Sequence, residues 1–225
     1  MVTALALQGA AVAAQPAVSS RRVFAVRVET YAGVVWGPGG GLGAGVAAFA
    51  QYGIVQVGGF YEATANGLFG ARAHHMAAGG VAGLRLARGV GRFDLLAAVG
   101  SRLYGDVGAE NSGGLFNNVR YADGVSGSTV FVGLRGGVSA EWGRVVRFSI
   151  GGRLSLDSDL SREERLRTVY TYPNGPPGNC WFDCSRENAE HPVVTRQEPV
   201  TLGGFHVGVM LVLGLRVGGD DRPAR

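Results

Sequence analysis

Lysine is absent from this chain: all 21 basic residues are arginine. They are scattered along the chain and form no basic patch or stripe, so neither the net charge of +4 nor the pI near 9.4 points to nucleic acid as a partner. Also missing is any uninterrupted stretch of about 18 apolar residues, which excludes a helical membrane protein. Charged residues make up only 17% of the chain against 46% hydrophobic, a balance too apolar for a disordered segment. Two cysteines in 225 residues are too few for a disulfide-rich scaffold. Helical periodicity is almost absent. What is abundant is glycine, at 39 positions, with neither the Gly-X-Y repeat of collagen nor the Ser and Gln enrichment of a linker.

Residues 1–14, MVTALALQGAAVAA, form an apolar stretch ending in small residues. A cut after Ala14 would put Val12 and Ala14 at the small-residue positions ahead of Gln15, so we read residues 1–14 as a secretory signal, although no basic residue precedes Arg21. In an exported chain, Cys180 and Cys184 read as a disulfide that staples a small loop. Zinc would require two further ligands at suitable spacing, and the nearest histidine, His191, is alone.

From Arg22 onward hydrophobicity alternates with a period of two, the mark of strands with one apolar and one different face. Phe24, Val26, Val28 and Thr30 share a face opposite Ala25, Arg27, Glu29 and Tyr31. The same pattern recurs in segments near 41–50, 54–64, 68–88, 93–106, 129–141 and 146–157, and in a last segment placed at Val200 to Val217. The breaks after the second, fourth and sixth segments are only a few residues long. By contrast, 107–128 and 158–198 are expected to be long loops, so one rim is tight and the other elaborated. Within the second loop, the charged run Ser161 to Arg167 reads as a solvated, short helical face.

Eight antiparallel segments most simply close on themselves, because closure removes unpaired edges. The expected fold is therefore all-β, an eight-stranded antiparallel up-and-down barrel over residues 21–218, with a 158–198 surface loop and a 219–225 tail. A soluble barrel would turn the apolar face inward around a ligand; a transmembrane barrel turns it outward. Segments of roughly 10 to 15 residues are long enough to cross a bilayer at a tilt, and the polar face is repeatedly glycine, which suits a crowded interior. That face also nearly balances Arg27, Arg85, Arg102, Arg135, Arg147, Arg153 and Arg216 against Glu29, Glu62, Asp94, Glu141 and Asp157. Buried charge must be paired, and an interior mixing both signs meets that demand. The expectation is a transmembrane barrel with these twelve residues as a lumen charge network.

In this pattern the chain resembles the small eight-stranded outer-membrane barrels of Gram-negative bacteria. His206, Gly208, Leu211 and Leu213 are similar to the last-strand spacing that the barrel-assembly machinery reads in that family, with Leu213 at the place usually held by an aromatic. Phe24, Trp36, Tyr61, Trp142 and Phe205, near segment ends, resemble part of an aromatic girdle. The resemblance implies an outer-membrane location with long loops outward and termini in the periplasm, and lipid and the assembly machinery as partners.

Other motifs weigh less. The GxGxxA match at Gly39, Gly41 and Ala44 joins two strands and does not open a helix, so it reads as a turn. His74, His75, His191 and His206 show no His-x-Ser pattern, and His206 reads as a hydrogen-bonded lumen residue, not a catalytic one. Asp157 and Asp159 are too few for calcium. Trp181 and Phe182, between the cysteines, are a candidate contact site for an extracellular partner. The functional expectation is a structural or surface-interaction protein with an occluded lumen, not an enzyme, and without a cofactor. The alternatives are a narrow conduit for small solutes, a soluble ligand-binding barrel and a lipid-modifying enzyme.

Overall fold

The computed structural model describes residues 24–66, 73–112, 119–172 and 194–218. The strands are β1 (Phe24–Trp36), β2 (Gly41–Tyr52), β3 (Val55–Ala65), β4 (His74–Arg88), β5 (Gly91–Val107), β6 (Glu110–Ser112), β7 (Val119–Ala122), β8 (Val125–Gly143), β9 (Val146–Asp159), β10 (Glu163–Tyr172), β11 (Val194–Leu202) and β12 (Phe205–Gly218). Eight of them close into an antiparallel barrel in the order β1-β12-β9-β8-β5-β4-β3-β2. Closure is made by β1 against β12, in register from Ala25↔Gly218 to Trp36↔Val207. Apart from that seam, each barrel strand pairs with its neighbours in chain order, the up-and-down arrangement.

The two-residue alternation decides which side chains meet. In β9, for instance, Phe148, Ile150, Leu154 and Leu156 point outward, while Arg147, Ser149, Arg153, Ser155 and Asp157 are buried. The same holds around the wall: Val130, Val132, Leu134 and Val138 of β8 and Val209, Leu211, Leu213 and Leu215 of β12 are exposed. Phe148 is 61% exposed and Arg102 0%. A soluble protein rarely exposes a contiguous apolar patch above a few hundred Å², and each such side chain left in water forgoes about 1.5–3 kcal/mol of burial. A soluble ligand-binding barrel requires the opposite polarity. No helix of the described residues is long and apolar enough to cross a membrane; strands are the only elements here that could.

One rim carries tight turns, at Gly53 (φ 61°), Gly89 (φ 59°) and Gly143 (φ 116°), where positive φ favours glycine. The other rim carries a second, four-stranded sheet in the order β11-β10-β7-β6. This corrects the two expected loops. The charged run at Ser161 to Arg167 is not helical: from Glu163 it belongs to β10, paired with β11 from Glu163↔Leu202 to Thr171↔Val194. Val200 likewise lies in β11, and the last barrel strand begins only at Phe205, after Gly203 (φ 84°) turns the chain. Much of β10 and β11 faces water, so hydrophobic alternation is weak there; backbone pairing and the β-branched Thr168, Val169 and Thr171 supply the strand. The sheet is anchored to the barrel by a small apolar cluster of Tyr104, Val107 and Leu202, with Val125 and Val200 packed against it.

Candidate functional site

The site is the lumen. Because lumen-facing positions recur every second residue on all eight strands, charges far apart in sequence converge on one axis. Near the short-turn rim, Asp94 of β5 accepts hydrogen bonds from Arg27 Nη1 of β1 (3.1 Å), Arg85 Nη1 of β4 (2.9 Å) and Gln56 Nε2 of β3 (2.8 Å). Glu141 of β8 gathers four guanidinium groups: Arg85 at 2.7 Å, Arg216 at 3.1 Å, Arg147 at 3.4 Å and Arg92 at 3.6 Å. Deeper in, Glu29 bridges Arg27 Nε (3.1 Å) and Arg153.

Toward the long-loop rim, Arg135 lies 3.5 Å from both Glu62 and Asp157. Arg102 spans Asp157 (2.9 Å) and Asp159 (2.8 Å). Aromatic faces fill the space between these pairs. The guanidinium carbon of Arg135 stands 3.7 Å from the Phe60 ring centre, that of Arg27 4.3 Å from Phe49, and that of Arg102 4.5 Å from Phe131. A planar guanidinium can stack on a ring while its edge binds carboxylates, which suits arginine and not lysine to this interior. An eight-stranded barrel is just wide enough for side chains to fill, and Arg27, Arg85, Arg102, Arg135 and Phe131 are among the largest fully buried side chains of the described residues.

All twelve charged residues expected in the lumen are buried there, each paired with an opposite charge. Sequence reading missed Arg92 and Asp159, which extend the alternation two residues before Asp94 and two after Asp157; the expected strands stopped short of them. It also missed the neutral members Gln56, Tyr31 and Tyr104. Among the described residues, eight arginines and six carboxylates are buried. Asp157 and Asp159 are engaged by Arg102, and no metal-ligating cluster of three or more groups occurs among the described residues. His206 contacts Tyr104 (2.7 Å) and Asp159 (3.2 Å) through Nε2, not a serine hydroxyl. The residues Cys180, Cys184, Trp181, Phe182 and His191, the 1–14 signal and the 219–225 tail lie outside the described residues.

No family model and no curated protein matches the chain. Among solved structures it is similar to Neisserial surface protein A, at 13% identity and a TM-score of 0.45 over 86% of this chain and 96% of that one. It is also similar to a major outer membrane protein from Thermus thermophilus, at 12% identity and a TM-score of 0.49 over 87% of this chain and 99% of that one. The barrel itself stands on strand pairing, independent of either likeness.

Proposed function

We propose that this chain is a Gram-negative outer-membrane β-barrel protein whose lumen is occluded by charged side chains and whose role is structural or surface-interacting. The inversion of polarity carries the reading: an apolar wall encloses arginine–carboxylate pairs. Lipid is the medium that satisfies such a wall, and ion pairing is what lets the interior exclude a water column. In this reading the short-turn rim and both termini face the periplasm, and the four-stranded sheet rises outside the cell. The barrel-assembly machinery reads β12 through His206, Gly208, Leu211 and Leu213. The stretch joining β10 to β11, with Trp181 and Phe182 between Cys180 and Cys184 in a disulfide, is the contact surface for an extracellular partner. The protein binds no nucleic acid and performs no catalysis.

Planar-bilayer recording tests the occlusion. The purified barrel is expected to give no stable steps of nanosiemens size, and such steps would overturn the occluded lumen. A smaller stable conductance, lost in Arg135→Glu or Arg153→Glu, would instead establish a narrow conduit.

A further inference from the structure

Among the described residues, the short-turn rim exposes charge of one sign only. Arg88, at the end of β4, and Arg144, in the β8–β9 turn, are exposed, while Glu141, the carboxylate of that rim, is buried under four guanidinium groups. Neither Arg88 nor Arg144 has an ion-pair partner among the described residues. The opposite end differs: there Arg165 meets Glu163 at 2.6 Å, and Arg162 and Glu164 are exposed beside them, so both signs are present.

Strand register sets these two cations at the sides of a recess in the outer wall. One row across four strands reads Arg88, Gly91, Ala140, Ile150. The next row toward the middle of the wall carries the exposed pair Phe93 and Val138, and Trp142 stands on the rim side of Ala140, so two small residues lie among large ones. Neighbouring strands are about 4.8 Å apart, which puts Arg88 about 10 Å from Ala140 along the row, with only Gly91 between them. Arg144 follows Trp142 by two residues and closes the rim side. Both turns are fixed from behind. Glu141 N donates to Val90 O (2.9 Å), tying the β4–β5 turn to β8. Arg92 Nη1 donates to Gly89 O (2.6 Å) and Gly91 O (2.9 Å), and Arg147 Nε donates to Arg144 O (3.4 Å).

We propose that this recess binds the headgroup of an anionic phospholipid, with the phosphate held between Arg88 and Arg144 and the acyl chains lying along the wall past Phe93 and Val138. Charge selects the headgroup. A zwitterionic lipid brings its own ammonium group beside the phosphate, which two guanidiniums repel; an anionic lipid brings the phosphate without it. Guanidinium donors match phosphate oxygens in pairs, so two arginines on fixed turns bind such a group with direction as well as charge. Gly91 and Ala140 leave room for the glycerol, and Trp142 stands at the headgroup level that aromatic rings favour in a bilayer. The inference rests on the lipid-facing wall proposed above, and is independent of the occluded lumen and of which rim faces the periplasm.

The test uses Trp142 as a reporter in the full chain carrying Trp36→Phe and Trp181→Phe. The chain is reconstituted in vesicles of equal parts phosphatidylglycerol and phosphatidylcholine, with bromine on the acyl chains of one lipid at a time, and quenching of the indole reports which lipid lies against it. The expected result is enrichment of phosphatidylglycerol at Trp142 by about fivefold for each arginine engaged, reduced by added salt. Trp36, kept as the reporter at the opposite rim in Trp142→Phe with Trp181→Phe, should show no enrichment. Arg88→Gln with Arg144→Gln should abolish the preference at Trp142, and so should Ala140→Phe, which fills the recess and leaves both cations in place. Equal quenching by the two lipids at Trp142 overturns the proposal, as does a preference that survives the arginine pair. A preference that survives Ala140→Phe overturns the recess in favour of diffuse attraction to an anionic surface. Heat-dependent gel mobility shows whether each variant is folded, and should Ala140→Phe not fold, the arginine pair decides. Absence of quenching by either lipid at both indoles would contradict the lipid-facing wall itself, whereas equal quenching at Trp142 contradicts this site alone.

Discussion

Arg85 Nη2 donates to Glu141 Oε2 at 2.7 Å while Arg85 Nη1 donates to Asp94 Oδ2 at 2.9 Å, so one guanidinium ties β4 to β8 and to β5 across the lumen. Glu141 in turn takes Arg216, Arg147 and Arg92. Removing this carboxylate leaves several buried cations short of a counter-charge. Glu141→Ala is expected to destabilise the barrel by about 3–5 kcal/mol, the usual result of breaking a buried pair from one side. The readout is the temperature at which the folded form is lost on a detergent gel; Leu134→Ala, on the outer wall, is the control and should shift it far less.

Glycine at lumen positions makes room for the network. A methyl group at Gly133 would overlap the Asp157 carboxylate, which holds Arg102 and Arg135. Gly133→Ala is expected to lower stability by about 1–3 kcal/mol through overpacking. In contrast, Gly136 has open space around the added carbon, and Gly136→Ala should be near neutral in the same melting assay.

The outer wall should respond to charge according to depth. Leu211 lies mid-strand, between Ala32 of β1 and Gly152 of β9, whereas Phe205 begins β12 at the rim. In a bilayer, Leu211→Arg is expected to lose about 2–4 kcal/mol and Phe205→Arg about 0–1 kcal/mol. Reversible unfolding in liposomes measures both; equal effects at the two depths would contradict a lipid-facing wall.

Much of this arrangement was legible because the barrel wall obeys one rule on all eight strands. Apolar residues such as Phe148, Ile150 and Leu154 alternate with Arg147, Arg153 and Asp157 without interruption, so the strands, the faces and most lumen charges could be read from residue type alone. The four-stranded sheet obeys no such rule. Along β10 the apolar Leu166 is exposed while Val169 is buried, and hydrophobic periodicity is silent where pairing is carried by the backbone. The end of β5 was obscured for another reason: the register shifts between Tyr104 and Val107, where Asp106 adopts φ 52°, and a bulge breaks the two-residue count. Neither could the alternation show that His75 and His206 meet, since that depends on the order in which the strands close.

Topology gives a further outcome. Labelling of intact cells is expected to reach cysteines introduced near Asn118 and Asn174, and not near Arg144 in the short β8–β9 turn. Reversed labelling would invert the orientation.

The central claim is a closed barrel with its apolar wall in lipid. The most direct measurement is to fractionate cells and run the outer-membrane fraction on denaturing gels with and without boiling, because closed transmembrane barrels resist detergent until heated. The account predicts that the chain is found in that fraction and changes mobility on heating. Recovery of the protein in the aqueous periplasmic fraction, with no heat-dependent shift, would contradict it.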